Sequence, residues 1–125
     1  MVFSSNCPLS YSQERQKITL NAILEDQGDP ERWNSLLQHS IQELNAKHPD
    51  LDVSINYTTY PYDETRERLL DAMSEGIPVD IVTIDQIWLG EFAQNGLLTD
   101  LTNHTQKWDR SSDWYETHWD GGAYN

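Results

Sequence analysis

The sequence predicts an α/β fold: a parallel-type sheet with helices layered on its faces, three layers in all. Three observations carry that prediction. Apolar, β-branched runs at residues 18–24, 51–57 and 79–84 have strand character. After each run, apolar residues recur at helical spacing. The joints between them are short and hold residues that start or stop helices. The resulting order, β-α-β-α-β-α, implies parallel strands joined by right-handed crossovers.

Each element has its own justification. Ile18, Leu20, Ala22 and Leu24 alternate with Thr19, Asn21 and Ile23, giving a first strand of mostly apolar character. It runs into Glu25-Asp26-Gln27-Gly28-Asp29-Pro30, where Asp29 can cap a helix and Pro30 suits its first position. Trp33, Leu36, Leu37, Ile41 and Leu44 then share one face of that helix. Lys47-His48-Pro49 should end it, because proline disfavours helix in the residue before it. Leu51, Val53, Ile55 and Tyr57 alternate with polar residues, a second strand with one wetter face. Asp63 is the expected cap of a second helix with Leu69, Leu70 and Met73 inside and Gly76 at its end. The third strand is expected over Val79 to Ile84. A third helix follows from about Ile87 to Asn95, closed by Gly96, and a short helix leads toward Trp108. Beyond Trp108 no further strand is legible, so the sheet reads as unfinished.

Composition narrows the function classes. At 125 residues the chain is one domain at most, and 37% hydrophobic with 23% charged residues is a globular composition. Eight basic against 21 acidic side chains leave a net charge of -13, which repels phosphate backbones and anionic lipid surfaces. No apolar run approaches the roughly 20 residues of a membrane span. Met1-Val2-Phe3 is too short for the apolar part of a signal peptide. Residues 1–16 read as a flexible leader and 17–125 as the folded unit. Cys7, the only cysteine, precedes a polar tail as a lipid-anchored cysteine does, although Phe3-Ser4-Ser5-Asn6 is a poor match to the recognition sequence for such an anchor. The four histidines lack ligand spacing, and no metal or other cofactor is expected.

In parallel α/β sheets, ligands bind outside the carboxyl ends of the strands. Three clusters fall there: Glu25 to Asp29, Tyr60 to Tyr62, and Asp85 with Trp88. A carboxylate that grips hydroxyls beside a ring that stacks on C–H faces is the chemistry a carbohydrate cleft needs. The same residues also have a structural reading, with Asp85 capping the third helix and Trp88 packed in the core. Two enzymatic or signalling readings compete. Asp29 and Asp85 could form the acid pair of a glycosidase. Glu25, Asp26 and Asp85 could form the magnesium-binding acidic cluster of a receiver-type phosphoacceptor domain, whose later strands and lysine have no counterpart here. A stand-alone protein-interaction lobe is the remaining alternative.

From Ile18 to Asn125 the chain resembles the N-terminal lobe of the family 1 extracellular solute-binding proteins, with the trehalose/maltose-type members as the nearest likeness. The matching stretches are residues 26–33 after strand one, 48–53 entering strand two, and 69–73. They continue through Gly76-Ile77-Pro78-Val79-Asp80-Ile81-Val82, Asp85-Gln86-Ile87-Trp88-Leu89-Gly90-Glu91-Phe92 and residues 96–101. The resemblance implies a type II periplasmic-binding fold, non-catalytic, in which a di- or oligosaccharide is clamped between two lobes for uptake by an ABC importer. It implies ligand contacts at Asp29, Asp85 and Trp88, with Gln27, Glu25 and Tyr60 placed nearby. It also implies an extracytoplasmic setting and importer membrane subunits as partners. Family members are several times longer. The expectation for this chain is therefore one incomplete lobe, with the second lobe absent and an uncovered face open to self-association.

Overall fold

The computed structural model describes residues 14–124. Cys7 and nearly all of the expected leader lie outside the described residues. The elements are β1 (Gln16–Glu25), α1 (Pro30–Lys47), β2 (Leu51–Tyr60), α2 (Tyr62–Ser74), β3 (Ile81–Val82) and α3 (Gln86–Gln94). They are followed by α4 (Thr102–Thr105), a 3-10 turn at Ser111–Asp113, and α5 (Glu116–Gly121). The sheet is parallel throughout with strand order β2-β1-β3, so β1 is central and the two crossovers lay β2 and then β3 against its opposite sides. The α/β class and the helix-flanked parallel sheet agree with the sequence.

Local chemistry accounts for the boundaries. Asp29 caps α1, its carboxylate accepting from the Glu31 N–H at 3.2 Å, and Pro30 stands at the first turn. α2 and α3 end alike. The N–H of Gly76 bonds the Met73 carbonyl and that of Ile77 the Ala72 carbonyl. Gly96 and Leu97 do the same to Ala93 and Phe92. These are paired Schellman closures, which need a left-handed residue, and the two glycines supply φ of 69° and 67°.

Three expectations need adjusting. β2 continues to Tyr60, three residues past the alternating run. Asp63 does not cap α2: Pro61 occupies that position with no side-chain bond, and Asp63 and Glu64 sit in the first turn. There they still favour the helix through its dipole. β3 has two ladder residues rather than six. At either end of it a side chain takes a bond that the ladder would have made. Asp80 Oδ2 accepts from the Asn21 N–H at 2.8 Å, and Thr83 Oγ1 accepts from the Glu25 N–H at 2.6 Å.

The core is small and drawn from four elements. Leu24 of β1, Leu69 of α2 and Phe92 of α3 are essentially inaccessible, and Ala22, Ala72 and, toward the other end of the sheet, Val53 are buried as well. Thr65 is buried among them without an orphaned hydroxyl, because Oγ1 donates to the Tyr60 and Pro61 carbonyls. α1 packs along β2. Its Asn45 amide bonds both the N–H and the C=O of Val53, at 2.8 and 2.9 Å, and so closes part of an open sheet edge.

Candidate functional site

Parallel pairing brings the carboxyl ends of all three strands to one edge of the sheet, and the loops leaving that edge build the candidate site. Asp85 leaves β3 in extended conformation and caps α3, its Oδ1 accepting from the Ile87 N–H at 3.1 Å. That bond fixes the carboxylate, and Oδ2 then accepts from the Tyr62 hydroxyl at 2.8 Å. Tyr62 is the first residue of α2, placed by the Pro61 turn at the end of β2. Its ring stacks on Trp88, with centroids 5.2 Å apart and planes 28° from parallel. Trp88 lies in the first turn of α3, where its N–H bonds the Asp85 carbonyl at 3.0 Å.

The result is a carboxylate with a stacked Tyr–Trp pair beside it, and Tyr62 remains 44% exposed. A ligand approaching the edge would meet a ring face and an acceptor together. The hydrogen bond from Ile87 and then that from Tyr62 hold the Asp85 carboxyl below its ordinary value, against a smaller desolvation effect. The Tyr62 phenol is pushed up, chiefly by its bond to Asp85, then by partial desolvation and the charges of Asp85 and Glu25. The Glu25 carboxylate therefore acts on the same group. Its backbone is pinned on two sides, by Thr83 Oγ1 on the N–H and by the Trp33 indole N–H, which donates to the Glu25 carbonyl at 2.8 Å.

The other sequence candidates lie differently. Asp29 is engaged as the α1 cap, and Gln27 accepts from Arg32 Nη1 at 2.9 Å, so both point their polar groups into the start of α1. The Tyr60 ring faces the Arg68 guanidinium, 5.7 Å from its centroid, rather than Asp85. Tyr62, two residues on, is the tyrosine that reaches Asp85. The sequence puts both tyrosines in the cluster after strand two, and location alone favours Tyr60. Only the helix start at Tyr62 decides which ring turns toward β3. The cap reading of Asp85 holds and leaves one carboxylate oxygen for Tyr62, whereas Trp88 is half-buried against Tyr62 rather than packed in the core. The acidic cluster needed by a receiver domain does not form: no group of three or more acidic, histidine or cysteine side chains is placed to hold a metal among the described residues.

The carboxyl edge of the β2-β1-β3 parallel sheet thus carries a carboxylate and a stacked pair of rings, at the edge where α/β sheets generally hold their ligands. Residues 27–125 match the family profile of the bacterial extracellular solute-binding proteins, and the chain belongs to that family. Solved structures agree in fold. An ABC transporter solute-binding protein from Thermotoga lettingae, bound with alpha-D-tagatose, superposes with a TM-score of 0.68 at 23% identity over 86% of this chain. An ABC substrate-binding protein from Listeria monocytogenes in complex with cycloalternan gives 0.65 at 20% identity over 90%. A family 1 extracellular solute-binding protein from Alicyclobacillus acidocaldarius gives 0.53 at 16% over 70%. This chain spans 26%, 27% and 21% of those three chains. No curated protein matches the sequence significantly.

Proposed function

We propose that this chain contributes the N-terminal wall of a carbohydrate-binding cleft in an extracytoplasmic receptor that delivers sugar to an ABC importer. It binds and does not catalyse. The ligand is a di- or oligosaccharide, in the manner of the trehalose/maltose-type members. The observation that carries the reading is the Asp85–Tyr62–Trp88 unit on the carboxyl edge. A carboxylate fixed by its own cap orients hydroxyls, and a stacked aromatic pair offers a face to pyranose C–H groups. The Glu25 charge acts on Tyr62 of this unit, and Asp29, Gln27 and Tyr60 belong to the ends of β1 and β2 at the same sheet edge, with their side chains engaged elsewhere. The net charge of -13 is compatible with a neutral ligand and adverse to an anionic one. In the whole protein a second lobe would supply the opposite wall, closing by a hinge, and the importer's membrane subunits would be the partners.

The test is a tryptophan-fluorescence and calorimetric titration of the whole protein with a panel of saccharides. We expect saturable binding of at least one of them. Asp85→Asn should weaken it about tenfold or more, because a charged acceptor is lost. Trp88→Ala should weaken it in parallel. Binding that ignores both substitutions would place the sugar elsewhere and overturn the assignment. With a single wall, residues 1–125 alone should bind weakly, and micromolar saturation would contradict that expectation.

A further inference from the structure

The Asp85 unit leaves a second aromatic assembly unused. Trp108, Trp114 and Trp119 touch in sequence, with centroids 6.3 Å apart in each pair and planes tilted by 45° and 56°. Tryptophan is usually well buried. These three stay 40%, 53% and 36% exposed, and Tyr115 alongside is 76% exposed. The assembly is held in place by polar bonds. The Trp119 indole N–H donates to the Ser111 carbonyl at 3.2 Å, and Arg110 Nε donates to Asp113 Oδ2 at 2.9 Å across the turn between the first two rings. The segment is also seated beside the carboxyl edge. Gly121, at the end of α5, lies against the side-chain amide of Gln86, so that a methyl group there would sit 3.6 Å from Nε2. Gln86 is the residue after Asp85. Tyr124 packs in the same way on Gly90 of α3.

We propose that Trp108, Trp114 and Trp119 form a second carbohydrate-stacking surface adjoining the Asp85 unit, and that the ligand is an oligosaccharide long enough to engage both. This rests on the saccharide reading of the Asp85 unit. Exposed indole faces take the C–H faces of sugar rings with little demand on the hydroxyl pattern. Asp109, Glu116 and Asp120 each follow one of these aromatic residues in the sequence, and such carboxylates would be acceptors for the hydroxyls at a sugar's rim. The same charges disfavour a nucleic acid or an anionic membrane as the occupant. Chain length would be read at the indole surface and ring orientation at Asp85.

The experiment is calorimetric titration of the whole protein with glucose, maltose, trehalose, maltotetraose and cellotetraose, using wild type, Trp88→Ala, Trp114→Ala and Trp114→Phe. The expected result is tighter binding of a tetrasaccharide than of the shorter sugars. Trp114→Ala should lower the tetrasaccharide affinity about three- to tenfold and leave glucose and the disaccharides unchanged. Trp114→Phe should restore most of the loss, whereas Trp88→Ala should weaken every sugar that binds. If Trp114→Ala fails to fold, Trp108→Ala takes its place. Equal affinities of wild type and Trp114→Ala at every length would make the indoles a packing or protein-contact surface and overturn the proposal. If no sugar binds to wild type, the reading of the Asp85 unit fails and this extension falls with it.

Discussion

Asp85 holds two bonds with two oxygens, and its pH behaviour follows from that. Its folded value lies below the ordinary carboxylate value, so its contribution to stability is fully present above about pH 4 and is lost as the pH falls through the lowered folded value. Asp85→Asn keeps a capping oxygen but removes the charge. Chemical unfolding should therefore show a less stable variant at neutral pH and a gap that closes below about pH 4. A gap unchanged down to pH 2 would show that the charge is irrelevant. Tyr62 titrates in the opposite sense. Its folded value is raised, so its bond is intact at neutral pH and lost as the pH rises through that higher value. Difference ultraviolet titration of wild type against Tyr62→Phe should isolate a phenol that ionises above the ordinary value. In Asp85→Asn the Tyr62 value should move back toward that of an ordinary phenol, because the first cause of the shift is gone.

At the level of elements, the two Schellman closures make a sharp prediction. Gly96→Ala forces a side chain into a left-handed residue and should cost about 1 kcal/mol, read as a lower denaturation midpoint with an unchanged slope. Asp29→Ala should cost about 1 kcal/mol through the lost α1 cap. Such elements were legible because their signals are local: Asp29-Pro30, Gly76 and Gly96 sit where start and stop residues belong. The length of β3 was not legible. Apolar alternation says what a strand would bury, but not that the Asp80 and Thr83 side chains would take ladder bonds at both its ends. The start of α2 was hidden for a related reason. Asp63 has the chemistry of a cap, while the turn is set by Pro61 and by the Thr65 hydroxyl reaching back to two carbonyls. In the candidate site, the sequence pointed to the loops at the sheet edge and to Asp85 and Trp88, which the fold brings together with Tyr62. The third member of the site was not legible, since the choice of Tyr62 over Tyr60 depends on that helix start.

For the molecule as a whole, the thin core sets the tolerance to change. Phe92 is fully buried, as are Leu24 and Leu69, and Phe92→Ala should cost about 3–5 kcal/mol, a large part of the stability of a domain this size. Retained near-ultraviolet circular dichroism and an unchanged midpoint would refute that. An open sheet with apolar side chains such as Ile77, Ile81 and Ile87 exposed has a tendency to pair with itself, opposed by a net charge of -13. Sedimentation of residues 1–125 should accordingly show association that increases with protein concentration and with salt, as screening weakens the repulsion. A monomer at every ionic strength would show that the exposed residues carry no such tendency. The parallel sheet also dictates an order of events during synthesis. Thr19 of the central strand meets Ser54 at a separation of 35 residues, and Asn21 meets Asp80 at 59. Among the described residues no strand pairs with a hairpin neighbour, so β1 emerges from the ribosome ahead of both partners and waits, first for β2 on one side and later for β3 on the other. Closing such long loops comes before any gain from pairing, so folding should be slow for the chain's size, with the apolar centre of the sheet open to chaperones in the interval.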